Sequence, residues 1–179
     1  MTRIICISGD AASGKTTAAR RVLERLSGWR IVSTGGRFRE YCAERGLDPQ
    51  QISHLGDQIH RDFDADMLRL LSEERNLIAE ARLVGYLARE MPDALRVFCD
   101  CPLDVRAERF RTREPGYSLE EAVARVSERD EADTANLRQL YGIDYHDPAY
   151  YHLVLDTSKL TPDEIAERIL AAAERLPHQ

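Results

Sequence analysis

The 179-residue sequence lacks an apolar run long enough to cross a membrane. A membrane-spanning helix needs about 20 apolar residues, whereas the N-terminal apolar segment ends after a few residues at Gly9. Internal repeats, low-complexity tracts and interdomain linkers are also missing. We therefore expect one domain, 1–179, because single domains commonly hold about 100 to 200 residues. We also expect it to be cytoplasmic.

Metal-binding and disulfide patterns are missing as well. The cysteines are Cys6, Cys42, Cys99 and Cys101, and the histidines are His54, His60, His146, His152 and His178. The cysteines have no C-x-x-C spacing, and the histidines have no spacing typical of ligands. The sequence therefore predicts neither a zinc site nor a disulfide framework, and we interpret the cysteines as mostly buried thiols.

Positive charge is not in excess. Charged residues make up 31% of the chain, the net charge is −6, and aromatic residues make up 7%. This balance argues against broad binding to nucleic acid or to anionic membranes, because both attract basic surfaces. An anionic ligand must therefore be held by a local site.

The sequence does contain one such site. Residues 9–16, GDAASGKT, fit the phosphate-binding loop pattern G-x-x-x-x-G-K-[ST]. Gly9 and Gly14 allow main-chain N–H groups to approach an anion closely at the positive end of a helix. We expect Lys15 to reach the β- and γ-phosphates of a triphosphate, and Thr16 to bind Mg²⁺.

This loop lies between a predicted strand, 4–7, and a predicted helix, 15–26, as the motif requires. Four further apolar runs alternate with helix-like stretches. These runs cover 31–33, 77–79, 95–98 and 153–155. The alternation predicts an α/β fold with a five-stranded parallel sheet flanked by helices, whose ligands bind at the carboxyl ends of the strands.

Charged residues follow two of these predicted strands. Ser33 ends the second strand and Arg39 follows it, while Glu80 and Arg82 follow the third. Guanidinium groups hold phosphate at two points and stay charged when desolvated. We therefore expect a second anionic substrate at Arg39 and Arg82, and we expect Glu80 to hold a Mg²⁺-bound water.

The segment 104–140 is rich in arginine, and Pro115-Gly116 divides it, which predicts a helical hairpin. A hairpin that closes over the γ-phosphate would exclude water and prevent hydrolysis of ATP. Three of its arginines, Arg109, Arg113 and Arg129, are expected to act there, and three others, Arg111, Arg125 and Arg138, are interpreted as solvated surface residues.

The segment 34–74 is polar and predicts several helices that project from the sheet. Asp62, Asp64 and Asp66 cluster within it, and the first and last share a helix face. The cluster is either a solvated helix face or part of a ligand site.

Six segments together resemble the nucleoside monophosphate kinases, and most closely the short archaeal-type cytidylate kinases. They read GDAASGKTT, STGGRFREYCAERG, EARLVGYLA, PLDVRAERFRTRE, SERDEADTANLRQLYGID and YYHLVLDTS. The first is shared by many nucleotide enzymes, whereas the middle four, in this order, are more specific.

The resemblance implies a P-loop NTPase fold with a core of 1–33, 75–103 and 150–179, a monophosphate-binding excursion at 34–74 and a lid at 104–140. It implies ATP and Mg²⁺ as ligands. The implied ATP contacts are Gly9, Asp10, Ala11, Ala12, Ser13, Gly14, Lys15, Thr16 and Thr17. The implied catalytic residues are Lys15, Arg82, Arg109, Arg113 and Arg129, with Arg39 and Arg82 at the acceptor phosphate.

The resemblance also implies CMP or dCMP as the acceptor. Cytosine offers an amino donor that a carboxylate accepts, so Asp62 or Asp66 is expected to recognise it. Three positions depart from the family pattern. Gly36 stands where adenylate kinases have an acid, Ala81 replaces the glycine of an E-G-R motif, and Asn136 stands where a second lid arginine is expected, with Arg138 as its nearby substitute.

Three functions remain open at this point. The first is a CMP/dCMP kinase, and the second is another small-molecule kinase of this fold that acts on a different nucleotide or on a hydroxyl. The third is a non-catalytic nucleotide-binding module. In each case we expect a monomer whose partners are small molecules, with neither nucleic acid nor membrane.

Overall fold

A computed structural model describes residues 3–46 and 56–176 of the protein. Within them, five strands form one parallel sheet in the order β2-β3-β1-β4-β5. The strands are β1 Ile4–Gly9, β2 Arg30–Ser33, β3 Leu77–Glu80, β4 Ala94–Asp100 and β5 Leu153–Asp156. The predicted α/β class and five-stranded parallel sheet are confirmed. All five strands therefore end at the same edge, where parallel sheets bind ligands.

The helices between the strands follow the predicted alternation. They are α1 Lys15–Leu23, α2 Thr34–Glu44, α3 Gly56–Glu73, α4 Val84–Leu87, α5 Leu103–Arg113, α6 Leu119–Tyr141 and α7 Pro162–Arg175. The hairpin predicted around Pro115-Gly116 is α5 and α6. Helix α1 ends three residues before the predicted end, because the N–H groups of Arg25 and Leu26 bond three residues back, to Val22 and Leu23, which tightens the last turn.

Strand β1 is central and buried on both faces. Ile5 and Ile7 pack with α1 and α7 on one side, in a cluster that includes Val22 and Ile169. Ile4 and Cys6 face the opposite side, toward α3 and α4. This alternation follows the two-residue period of a strand, and it fixes where the loop after β1 leaves the sheet.

Two smaller clusters attach the remaining helices. Tyr41, Cys42, Phe63 and Met67 pack α2 against α3. A second cluster joins α6 and the segment after it to the sheet, and it contains Leu83, Phe98, Leu137, Ile143, Tyr145 and Tyr151. The long helix α6 begins with a capping box between Ser118 and Glu121, which satisfies main-chain N–H groups at its start. The four cysteines are buried, as predicted. The division into core, excursion and lid stays a prediction.

None of the helices in the described ranges combines enough length with enough apolar character to cross a lipid bilayer.

Candidate active site

The loop between β1 and α1 depends on two glycines. Gly9 has φ 144°, and a Cβ there would lie 2.5 Å from the carbonyl oxygen of Cys99, so a side chain is excluded by both conformation and space. Gly14 has φ 95° and caps the start of α1. Ala12 also adopts a left-handed conformation, with φ 58°, which few non-glycine residues adopt. These turns place the loop's N–H groups at the positive end of α1.

Lys15 lies partly buried at the base of this loop. Its Nζ donates to the main-chain carbonyl of Asp10 at 2.5 Å. Burial, followed by the positive charge of Arg82, lowers the pKa of Lys15 to about 8. Because its surroundings disfavour the charged form of Lys15, an anion that binds beside the side chain would stabilise that form.

Thr16 and Glu80, both predicted to serve a metal ion, lie together. The Thr16 hydroxyl donates to Glu80 Oε2 at 2.7 Å. Glu80 ends β3 and pairs in register with Ser33 at the end of β2. Hydroxyl and carboxylate oxygens are the ligands that Mg²⁺ prefers. Among the residues that the structure describes, no group of three or more His, Cys, Asp or Glu side chains is arranged to hold a metal, so a Mg²⁺ ion here would also need water and phosphate oxygens.

A cavity of about 360 Å³ opens on the outer side of the loop. The start of α1, the end of α5 and the start of α7 form its walls, and Arg109 and Arg113 line it. Arg109 is fixed there, because its Nη2 donates to the carbonyl oxygen of Thr157 at 2.7 Å and its Nη1 to the Thr157 hydroxyl at 3.1 Å. Arg113 is mostly exposed and pairs with Glu114. Both arginines therefore lie beside the loop, on the wall that α5 provides.

Arg82 lies on the other side of the loop, and we call the space between residues 9–14, Arg82 and α6 the crevice. Arg82 Nη1 donates to Asp130 at 2.8 Å, and Arg82 Nε lies 2.6 Å from Asp133. The same Nη1 is 3.8 Å from Asp10 of the loop. The remaining nitrogen, Nη2, is buried and has no hydrogen-bond partner among the described residues. Arg82 therefore lies beside the loop with one donor unused, and its expected role at an acceptor phosphate stays a prediction.

The Asp10 side chain joins the loop to the segment after α6. Its Oδ1 accepts from the Tyr145 hydroxyl at 2.5 Å and lies 3.0 Å from His146 Nε2. Burial opposes ionisation of this carboxyl, but hydrogen bonds from His146 and Tyr145 outweigh burial, and the pKa of Asp10 falls to about 2. Asp144 contacts the other ring nitrogen of His146 at 3.0 Å.

His146 therefore differs from the other histidines, although the sequence grouped all five together. His60 lies beside the ring of Phe38, and His152 accepts from the N–H of Arg96. His54 and His178 lie outside the described residues.

Arg106, which sequence reasoning missed, is a second buried arginine against the loop. Its Nη1 donates to the carbonyl of Ala11 at 3.2 Å and also to Asp130, and its Nε donates to Cys101. Asp130 in turn accepts from the N–H of Ala11 at 3.3 Å. The one signal in the sequence was the position of Arg106 in the first helix after the fourth strand. The same helix contains several other arginines, so the sequence did not distinguish Arg106 from them.

The remaining predicted arginines differ in what surrounds them. Arg129 is exposed and has no hydrogen bond or ion pair within 3–46 and 56–176. The backbone of Arg39 belongs to α2, but its side chain lies outside what the structure describes. The arginines interpreted as surface residues are exposed: Arg111 pairs with Glu108, Arg125 lies over the ring of Tyr117, and Arg138 is on the outside of α6.

The aspartates of α3 have three different partners. Asp66 accepts from Arg37 and Arg69, each at 2.9 Å, so both of its oxygens are engaged. Asp62 is exposed and accepts from Gln58 at 2.7 Å. Asp64 accepts from the Tyr141 hydroxyl at 2.5 Å, which joins α3 to the end of α6. Of the two predicted base-recognition residues, Asp62 therefore has the more available carboxylate.

Comparison with known proteins identifies the family of the chain. The model of the cytidylate kinase-like family matches residues 53–159. A curated cytidylate kinase from Natronomonas pharaonis is 38% identical over 165 residues, which are 90% of this chain and 84% of that protein. A second, from Pyrococcus furiosus, is 35% identical over 176 residues, 97% of this chain and 89% of that protein.

The solved structures extend the agreement to the fold. Shikimate kinase from Acinetobacter baumannii, solved with shikimate, superposes with a TM-score of 0.64 at 16% identity, and the match covers 100% of this chain and 97% of that one. At this identity the likeness concerns the fold alone, which is the predicted P-loop kinase fold. On the family match and the identity to its relatives, the chain belongs to the cytidylate kinase-like family.

Proposed function

We propose that the protein transfers the γ-phosphoryl group of ATP to CMP or dCMP. The observation that carries this proposal is the position of Arg82 in the crevice, 3.8 Å from Asp10 of the phosphate loop and with a buried, unpartnered Nη2. A guanidinium beside the loop suits an acceptor that is itself a phosphate. The relatives named cytidylate kinase support a cytidine monophosphate as that acceptor.

The donor end is proposed to hold ATP through residues 9–17. The N–H groups at the start of α1 would bind the β-phosphate, and Lys15, whose pKa burial lowers to about 8, would regain a stable charge against the β- and γ-oxygens. The nucleoside of ATP would enter the neighbouring cavity, where Arg109 and Arg113 lie. The hydrogen bonds of Arg109 to Thr157 already fix its side chain, so the side chain loses little conformational entropy when ATP binds.

Mg²⁺ is proposed to lie at Thr16 and Glu80, whose oxygens fit it. When bound, the ion would neutralise charge on the donor phosphates. The contact between Thr16 and Glu80, at 2.7 Å, keeps both oxygens at the strand edge. Ser33, next to Glu80 in the sheet, is proposed to face the acceptor from the end of β2.

The acceptor end is proposed to use Arg82 and Arg39 to orient the monophosphate. A phosphate oxygen is already a nucleophile, so no strong general base is needed, and the protein contributes mainly alignment and charge neutralisation. Arg129, exposed on α6, is proposed to reach the transferred group. Asp62 is proposed to accept from the amino group of cytosine.

The substrate assignment is tested with purified protein by measuring ADP formation from MgATP and a set of acceptors. The set contains CMP, dCMP, UMP, AMP, GMP and two hydroxyl acceptors, shikimate and gluconate. We expect CMP and dCMP to give the highest kcat/KM, and Lys15→Ala to abolish turnover with all acceptors. Glu128→Gln, which removes an exposed charge from α6, is the control and should retain full activity.

Each other result has a defined meaning. No ADP formation with CMP or dCMP while a different monophosphate is turned over would show that the cytidine assignment is wrong, and turnover of a hydroxyl acceptor would favour another small-molecule kinase. ATP binding without any acceptor-dependent ADP would favour a binding module. Arg39→Ala should raise the KM of CMP much more than that of ATP, and equal effects would contradict the acceptor site.

We further propose that the protein acts as a monomer on small molecules, without nucleic acid or membrane partners. Its net charge of −6 opposes adsorption to polyanions. Light scattering after size-exclusion chromatography tests the mass, and binding to DNA or anionic vesicles would contradict the second part.

A further inference from the structure

Asp130 of α6 occupies a position that suits an anionic ligand. Its carboxylate accepts from the N–H of Ala11 in the phosphate loop, from Arg82 Nη1 at 2.8 Å and from Arg106 Nη1. Only 14% of the side chain is exposed. A main-chain N–H of the loop and two guanidinium groups are the donors that bind phosphate oxygens.

Asp133 extends the same arrangement by one helical turn. It lies 2.6 Å from Arg82 Nε, so the two carboxylates of α6 engage two of the three nitrogens of Arg82. The third, Nη2, is buried and lacks a partner within the described part of the chain. A phosphate oxygen can accept a hydrogen bond from Nη2 directly. Bidentate binding requires Nη1 or Nε as well, and these nitrogens contact Asp130 and Asp133.

We propose that Asp130, assisted by Asp133, is an internal competitor for anionic ligands in the crevice. A phosphate group binds both Arg82 and the loop only after it displaces these carboxylates. Phosphate binding is therefore coupled to the loss of the contacts that these two carboxylates make. The inference rests on the proposed role of Arg82 at the acceptor phosphate, and it adds a residue that opposes binding.

The charges in the crevice determine the direction of this effect. Three carboxylates, from Asp10, Asp130 and Asp133, face two guanidinium groups, from Arg82 and Arg106. Lys15, whose Nζ bonds to the carbonyl of Asp10, adds a third cation. The carboxylates therefore cancel the positive charge that would otherwise attract a phosphate, and a phosphate gains that attraction only when a carboxylate moves away. A purely structural ion pair would have a different signature, because its loss would weaken the fold without improving the binding of anions.

The test uses inorganic pyrophosphate, so that it does not depend on which nucleotide is phosphorylated. Its dissociation constant is measured by isothermal titration calorimetry at low ionic strength for the parent protein and for Asp130→Asn. Removing one charge-assisted competitor should tighten binding about tenfold, at some loss of melting temperature. Glu128→Gln removes the same charge from an exposed position on α6 and should change the affinity less than twofold, roughly the effect of a distant surface charge.

Asp133→Asn provides a second variant. Asp133 is 40% exposed and contacts Arg82 but not Arg106, so the fold should tolerate the substitution. Because a partly exposed charge competes less strongly than a buried one, we expect Asp133→Asn to bind pyrophosphate about threefold more tightly than the parent protein. If Asp130→Asn does not fold, Asp133→Asn decides the question. Unchanged or weaker pyrophosphate binding in the folded variants, or an equal gain in Glu128→Gln, overturns the proposal. Failure of CMP turnover would overturn only the proposed function.

Discussion

The burial of Lys15 predicts that ATP binding weakens over a specific range of pH. The pKa of Lys15 is lowered from 10.5 to about 8, by burial first and then by the charge of Arg82. A lysine with this pKa is about 90% protonated at pH 7 and about 10% protonated at pH 9. If only the charged form binds the phosphates, the Kd of MgATP should rise roughly tenfold between pH 7 and pH 9.

Calorimetric titration of MgATP without acceptor measures this effect in two ways. The first is the Kd itself at successive pH values. The second is proton uptake, because bound phosphates restore the charge of Lys15, so that near pH 8 about half a proton should enter the complex. Repeating the titration in buffers of different ionisation enthalpy gives this number directly.

Lys15→Arg is the matched control. Arginine stays charged throughout this range, so the Kd of the variant should lack the part of the pH dependence that Lys15 causes, whatever its absolute value. A Kd of the parent protein that stays constant from pH 7 to pH 9, or the same slope in Lys15→Arg, would show that Lys15 does not govern the pH dependence. His146, whose pKa is raised mainly by its hydrogen bond to Asp10, remains in both proteins, and its effect is subtracted by the comparison.

Three further outcomes are expected. Arg82→Lys keeps the charge but loses the forked donors, so steady-state kinetics should show a KM for CMP about tenfold higher with little change for ATP; equal rises would refute the role of Arg82. Gly85→Ala places a Cβ 2.4 Å from the ring of Tyr151, and should lower the free energy of unfolding by about 2 kcal/mol and the melting temperature by about 6 °C. Gly36→Ala, with free space around its Cβ, should cost nothing in the same thermal melt, and equal losses would contradict the steric argument. Asp62→Asn should reduce the ratio of kcat/KM for CMP over UMP, and an unchanged ratio would exclude Asp62 from base recognition.

The fold could be predicted because its signals are local. The strand, loop and helix around Lys15 are specified by consecutive residues, and the apolar runs give the remaining strands directly. Thr16 and Glu80 could be expected to meet because each lies at the edge that a parallel sheet reserves for ligands. The early end of α1 was missed, since a helical pattern continues through Arg25 while the hydrogen bonds already tighten.

The acidic side of the crevice could not be predicted. Asp130 contacts Ala11 across 119 residues, and His146 contacts Asp10 across 136. Charged residues occur all along α6, so its sequence gives no indication of which carboxylates turn toward the loop. Asp62 and Asp66 share a predicted face, yet only Asp66 is engaged by Arg37, because α2 packs on one part of α3 and leaves the rest open.

The length of α6 has a mechanical consequence. Asp130, near its middle, bonds to the phosphate loop, while Tyr141, eleven residues later, bonds to Asp64 of α3. The two contacts are about 16 Å apart along one continuous helix. One continuous helix therefore contacts both the phosphate loop and α3, so a movement of α6 at one contact would be expected to change the other.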